Sequence, residues 1–134
     1  MNTMQIRPVI GGFAISLVAL AGCASTGPYR ARISSEQAAE RILGIRAAAQ
    51  SKDWGAVPLI VDRLEDEDEA VRFYAILALE RITGERFGYD YARSSFERAA
   101  SVSKWRSYIK GGKHLTAAAK MAAEDDAPPG NPGA

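Results

Sequence analysis

Residues 53–83 read DWGAVPLIVDRLEDEDEAVRFYAILALERIT, and this stretch decides the fold. Asp53 has the short carboxylate of a helix N-cap. After it, Val57, Ile60, Val61 and Leu64 recur at helical spacing over Trp54–Glu65. Pro58 falls in the first turn, where its missing N–H costs little because early helical N–H groups have no partners anyway. An acidic turn follows, and a second helix is expected from Glu67 to Thr83. Glu67, Asp68 and Glu69 sit at its positive end, Arg81 near its negative end, and Gly84 closes it. Val71, Ala75, Ala78, Leu79 and Ile82 form one broad stripe, while Phe73, Ile76 and Leu77 cover much of the opposite side. A helix apolar nearly all round must be packed on more than one side, so it marks the centre of the domain.

Helical signals continue on both sides. Upstream, Ser34 and Gln37 have capping-box spacing before Glu36–Gln50, with Ala38, Ile42, Ile45 and Ala49 as the apolar face. Downstream, Ser94 and Glu97 repeat that spacing ahead of a helix reaching Lys110. Its stripe is Val102, Trp105 and Ile109, with Phe96 and Tyr108 beside it. Gly111-Gly112 stops it, and residues 113–123 read as a further short helix. The segment 124–134, EDDAPPGNPGA, carries three prolines and two glycines and reads as a disordered tail.

A weak internal repeat links the halves. Arg41, Ile45 and Ala47 recur as Arg72, Ile76 and Ala78 at an offset of 31 residues. A short helical hairpin lies between the copies, the unit from which α-solenoids are built. Together with Ala56-Val57-Pro58-Leu59-Ile60, Asp66, Asp68 and Val71-Arg72, this resembles one bacterial HEAT repeat over residues 53–83. Ser34–Gln50 is similar to the second helix of a preceding repeat whose first helix is missing or degenerate. The resemblance implies an all-α fold: a short stack of about four antiparallel helices over residues 34–112. It also implies structural roles for Pro58, Asp66, Asp68 and Arg72, with Asp66 or Asp68, together with Arg72, tying neighbouring repeats by polar contacts.

The N-terminus reads as an address. Residues 8–22 carry no charge, a length that suits a signal peptide better than a membrane span. Leu20-Ala21-Gly22-Cys23 resembles the lipobox of bacterial lipoproteins, which implies cleavage after residue 22 and acylation of Cys23. Residues 23–33 would then be a polar tether on the cell-envelope side of a membrane, the outer membrane or periplasmic face being favoured. Cys23, the chain's only cysteine, would be the attachment point to membrane lipid.

Composition narrows the function. Seventeen basic and sixteen acidic residues are interleaved along 134 residues, without the basic field of a nucleic-acid binder. A lone His114, read as a surface histidine, and a lone cysteine leave no expectation of a zinc site, catalytic triad or cofactor. The five acids Glu65–Glu69 fail as a calcium loop, because Ala70 and Val71 fall where an oxygen ligand and a glycine are required. They read as a solvated turn. The expectation is therefore a non-enzymatic module that holds an unidentified envelope protein. A homodimer is the further partner that the apolar third helix admits. Tyr89 and Tyr91, flanking Asp90 in a loop, are the candidate contact residues, and glycan or peptidoglycan is the alternative ligand.

Overall fold

A computed structural model of the chain describes residues 28–126. Leu20 to Cys23 and residues 127–134 lie outside the described residues. Among those described, about 75% are helical and none is in a strand. Six α-helices follow in order: α1 Tyr29–Ile33, α2 Ala38–Gln50, α3 Val57–Asp62, α4 Glu69–Thr83, α5 Ser95–Lys110 and α6 Lys113–Asp125. Single 3-10 turns, Trp54–Ala56 and Arg63–Glu65, flank α3.

The helices form two layers. α2 packs on α4, while α3 contacts α1, α4 and α5. One layer is therefore α1, α3 and α5, and the other is α2 and α4. The core between them holds the apolar positions of the deciding stretch: Val57, Ile60, Val61, Leu64, Val71, Ala75, Ile76 and Leu79 are all buried. The all-α stack expected from the sequence is the observed architecture.

Several local expectations are corrected. The first concerns residues 23–33. Tyr29–Ile33 is a helical turn, not tether, and Ile33 is fully buried. It is the first helix of the preceding repeat, shortened but present. Gly44 makes this packing possible, since a Cβ there would lie 2.6 Å from the Tyr29 carbonyl oxygen and 2.7 Å from the Ile33 nitrogen.

The second concerns the start of α2. Ser34 does not cap it; the N-cap is Gln37, without a side-chain cap bond. Ser34 instead closes α1, donating its N–H to the Ala31 carbonyl, with a backbone that is not extended as an N-cap requires. Third, α4 begins at Glu69, because the Asp68 carboxylate accepts the N–H groups of Ala70 and Val71 at 2.8 and 3.1 Å.

Other signals hold. Asp53 accepts the Gly55 N–H, Pro58 lies in the first turn of α3, and Gly84 has a positive φ of 79°. Ser94 and Glu97 form a full capping box at α5. Phe96, expected beside the α5 stripe, is 89% exposed. α6 runs to Asp125, so Glu124 and Asp125 belong to a helix and not to the tail.

At the C-terminal end the stack is closed by aromatics. Trp105 is fully buried with Phe87 edge-on at 4.7 Å and Tyr108 edge-on at 5.8 Å. His114 packs beside Tyr108 at 6.4 Å and is buried, which corrects its reading as a surface histidine. The Trp105 indole N–H and His114 Nδ1 find no hydrogen-bond partner among the described residues.

Candidate interaction surface

The repeat shows its clearest form in two arginines. Arg41 donates through Nη1 to the carbonyls of Ser35 and Glu36, at 3.0 and 2.7 Å. Arg72 donates through Nη1 to those of Asp66 and Glu67, at 2.9 and 3.0 Å. Each arginine thus reaches back six and five residues to the turn before its own helix, and both turns are related by the same offset of 31. Each then uses one further donor toward the next unit. Arg41 Nη2 meets Asp66 Oδ1 at 2.9 Å, and Arg72 Nε meets the Tyr91 carbonyl at 3.0 Å.

Asp66 is the hinge of this ladder. One oxygen accepts Arg41 and the Asp68 N–H, and the other accepts Arg63 at 3.4 Å. Its side chain is 3% exposed and that of Arg41 is 6% exposed. The acidic run is therefore not uniformly solvated: Asp66 is buried and paired, which corrects that expectation. Asp66 and Arg72 tie successive units, whereas Asp68 acts locally as a cap. Pro58 shapes the entry of α3.

A second polar tie was not foreseen. Asp53 accepts from the Tyr29 hydroxyl at 3.0 Å and from Arg30 Nε at 2.6 Å, joining α1 to the turn before α3. Burial pushes the Asp53 carboxyl up, but the donors Arg30 and Tyr29 outweigh it and hold the group below the ordinary aspartate range. Tyr29 is raised by burial and by the neighbouring Asp53. Gly55 leaves the room needed, since a Cβ there would sit 2.5 Å from the Arg30 guanidinium. Gly44 and Gly55, each inside a helical stretch, are the trace that α1 leaves in the sequence.

The two candidate contact tyrosines have different fates. Tyr89 is 3% exposed and donates its hydroxyl to the Leu64 carbonyl. Burial raises its pKa. Its ring faces the core, which corrects its reading as a contact residue. Tyr91 is half-buried, edge-on to Phe73 at 4.9 Å, and lies two residues away on the same loop.

The open surface lies elsewhere, on the outer face of the α2/α4 layer. Leu43, Arg46 and Gln50 on α2 point outward, and their equivalents 31 residues on are Tyr74, Leu77 and Arg81 on α4. Between them runs a cleft of about 170 Å³ lined by Arg46, Ala49, Gln50, Tyr74, Leu77, Ala78 and Arg81. Leu43 is 45% and Leu77 38% exposed. Arg46 lies over the Tyr74 ring, 5.9 Å from its centre. Arg81 donates Nε to the Ala49 carbonyl at 3.2 Å.

Eight of the eleven arginines among the described residues pair with a carboxylate. Arg46 and Arg81, on the same cleft, do not. The cleft can therefore bind an anionic, partly apolar group. Arg46, Tyr74, Leu77 and Arg81 were missed because an outward row on a buried helix has no distinguishing pattern until the repeat is in register.

No curated protein and no solved structure matches the chain. The family model for HEAT repeats matches residues 28–100, from the residue before α1 into α5 and thus over half of the sequence. With its helical hairpins stacked in two layers and tied by a repeating arginine ladder, the chain belongs to the HEAT-repeat family.

Proposed function

We propose that this chain is a lipoprotein acylated at Cys23, anchored to a membrane of the cell envelope, whose helical domain holds another envelope protein without catalysing a reaction. HEAT repeats are in general helical modules for protein interaction. The observation that carries the reading is the outer face of α2 and α4. It exposes Leu43 and Leu77, with half-buried Tyr74 in repeat register with Leu43, beside two arginines without carboxylate partners. Tyrosine and arginine are among the residue types enriched at the core of protein interfaces. The lipobox-like Leu20-Ala21-Gly22-Cys23 supports the anchor. A glycan-binding role rested on Tyr89 and Tyr91, and loses the Tyr89 ring to the core.

The test joins the two halves of the proposal. Mass spectrometry of the N-terminal peptide from membranes is expected to find a diacylglyceryl thioether on Cys23, absent from Cys23→Ala. A photo-crosslinking residue at Leu77 is expected to capture one envelope protein at constant ratio, and one at Lys104 on α5 to capture none. Unmodified Cys23 would refute the anchor. Equal capture from Leu77 and Lys104 would refute the interaction face.

A further inference from the structure

We propose that the α2/α4 cleft is a docking site for an acidic segment of a partner protein, one carrying carboxylates beside aliphatic side chains. This deepens the interaction reading and rests on it. The argument is charge complementarity in a shaped groove. Arg46 and Arg81 flank the cleft, and no acidic side chain lines it.

Elsewhere among the described residues, every arginine but one is neutralised by a carboxylate. The depression at Arg41, Arg63 and Asp66 holds both signs, already paired. So does the one at Asp90, Arg93 and Glu97. Arg98, the remaining arginine without a carboxylate, lies on α5 and donates to the Arg93 carbonyl. Two unneutralised guanidinium groups therefore coincide on one groove.

The two arginines are also positioned for the task. The Ala49 carbonyl holds Arg81 through Nε and leaves its terminal nitrogens to bind. Arg46 rests over the Tyr74 ring, and its guanidinium donates to no carboxylate among the described residues.

The apolar part selects the class of ligand. Leu77 and Tyr74 form a wall, and Ala49 and Ala78 a floor without bulk. On α2 the cleft runs from Arg46 to Gln50, roughly 6 Å at the helical rise. That is the length of a short peptide segment. A compact inorganic anion would leave the apolar wall uncovered, whereas carboxylates alternating with leucines would occupy wall and arginines together.

The experiment uses the purified full-length chain and two fluorescent peptides. One reads Gly-Leu-Asp-Leu-Glu-Leu-Gly; its neutral twin replaces Asp by Asn and Glu by Gln. The acidic peptide is expected to bind at least roughly tenfold tighter than its twin, the advantage shrinking as salt rises. Arg46→Gln and Arg81→Gln should each weaken it by about tenfold, and Arg98→Gln should leave it unchanged.

Equal affinity for the two peptides, or no binding of either, would overturn the proposal. So would an equal loss from Arg98→Gln, which would mean attraction by general charge. Sedimentation as a dimer that Leu77→Lys dissociates would assign the cleft to a second copy and overturn it as well. If Leu77 captures a partner in cells while the acidic peptide does not bind, the interaction reading stands and the assignment of an acidic ligand falls.

Discussion

Gly44→Ala should destabilise the domain, although the rule for helix interiors predicts the opposite. In an exposed helix, replacing glycine by alanine gains about 1 kcal/mol, because glycine loses the most backbone entropy on folding. Gly44 sits mid-way along α2, so propensity alone predicts that gain. The added methyl would meet backbone on the other side: the Tyr29 oxygen at 2.6 Å, the Ile33 nitrogen at 2.7 Å and the Arg32 Cβ at 3.0 Å. Ordinary contacts need about 3.5 Å, so α1 must retreat by roughly 0.8 Å, a gap that forfeits about a quarter to a half of each contact energy. Overpacking of this kind costs about 1–3 kcal/mol. Loosening fully buried Ile33 and the Arg30–Asp53 pair adds to it. The net expectation is a loss of about 1–2 kcal/mol, read as a fall in Tm of roughly 5–15 °C for a domain of this size.

Urea and thermal unfolding followed by circular dichroism measure this directly. A second variant separates the causes. In an Ile33→Ala background, where α1 is already loosened, Gly44→Ala should cost little or become favourable. If Gly44→Ala raises stability by about 1 kcal/mol in the otherwise unchanged chain, propensity has won, and α1 is not packed on α2.

Three further outcomes follow from the polar ties. Arg41→Met strips buried Asp66 of its main cation and should cost about 3 kcal/mol in urea unfolding; a cost below about 1 kcal/mol would remove the ladder as a structural element. Asp53 has a folded-state pKa below its unfolded value, so its contribution is present at neutral pH and lost as pH falls through the folded value. Asp53→Asn should accordingly flatten the decline of urea midpoints below about pH 4, and an unchanged decline would refute that role. Tyr89→Phe should cost about 1–2 kcal/mol, since it leaves the buried Leu64 carbonyl without its donor; acidic-peptide binding should not change, and a weakened complex would return Tyr89 to the contact surface.

Long elements announced themselves in the sequence because periodicity accumulates over turns. The broad stripe of α4 and the Ser94–Glu97 box of α5 need only local information, and both are as expected, whereas Leu77, read as part of a second packed side of α4, is exposed. α1 was illegible for the converse reason. Five residues make little more than one turn, too few for a period, and the helix exists because Gly44 and Asp53 hold it from outside. Its trace was two glycines whose neighbours cannot be known before folding. Asp66 presents the same problem within a run of five acids. Nothing in the run distinguishes the buried carboxylate, and only the phase of the repeat places it opposite Arg41. The candidate surface was the least legible part. Leu43 and Tyr74 share no chemistry, and their kinship is positional.

The two ends of the described stack are built differently from its outer face. At one end α1 has shrunk to a single turn that lies backbone to backbone on α2. At the other, the rings of Phe87, Trp105, Tyr108 and His114 pack on one another over the core. The buried side chains between these ends, with the arginine ladder, account for the fold. Leu43, Arg46 and Leu77 lie outside that accounting, so these outward positions of α2 and α4 are free to vary with the partner. Substitutions there, such as Leu77→Lys or Arg46→Gln, should therefore shift stability by no more than about 0.5 kcal/mol while changing what binds. Core substitutions such as Val61→Ala should lower stability without altering the affinity of the folded fraction. Were Leu77→Lys to unfold the domain, the outer row would belong to the core, and binding could not be separated from folding on this face.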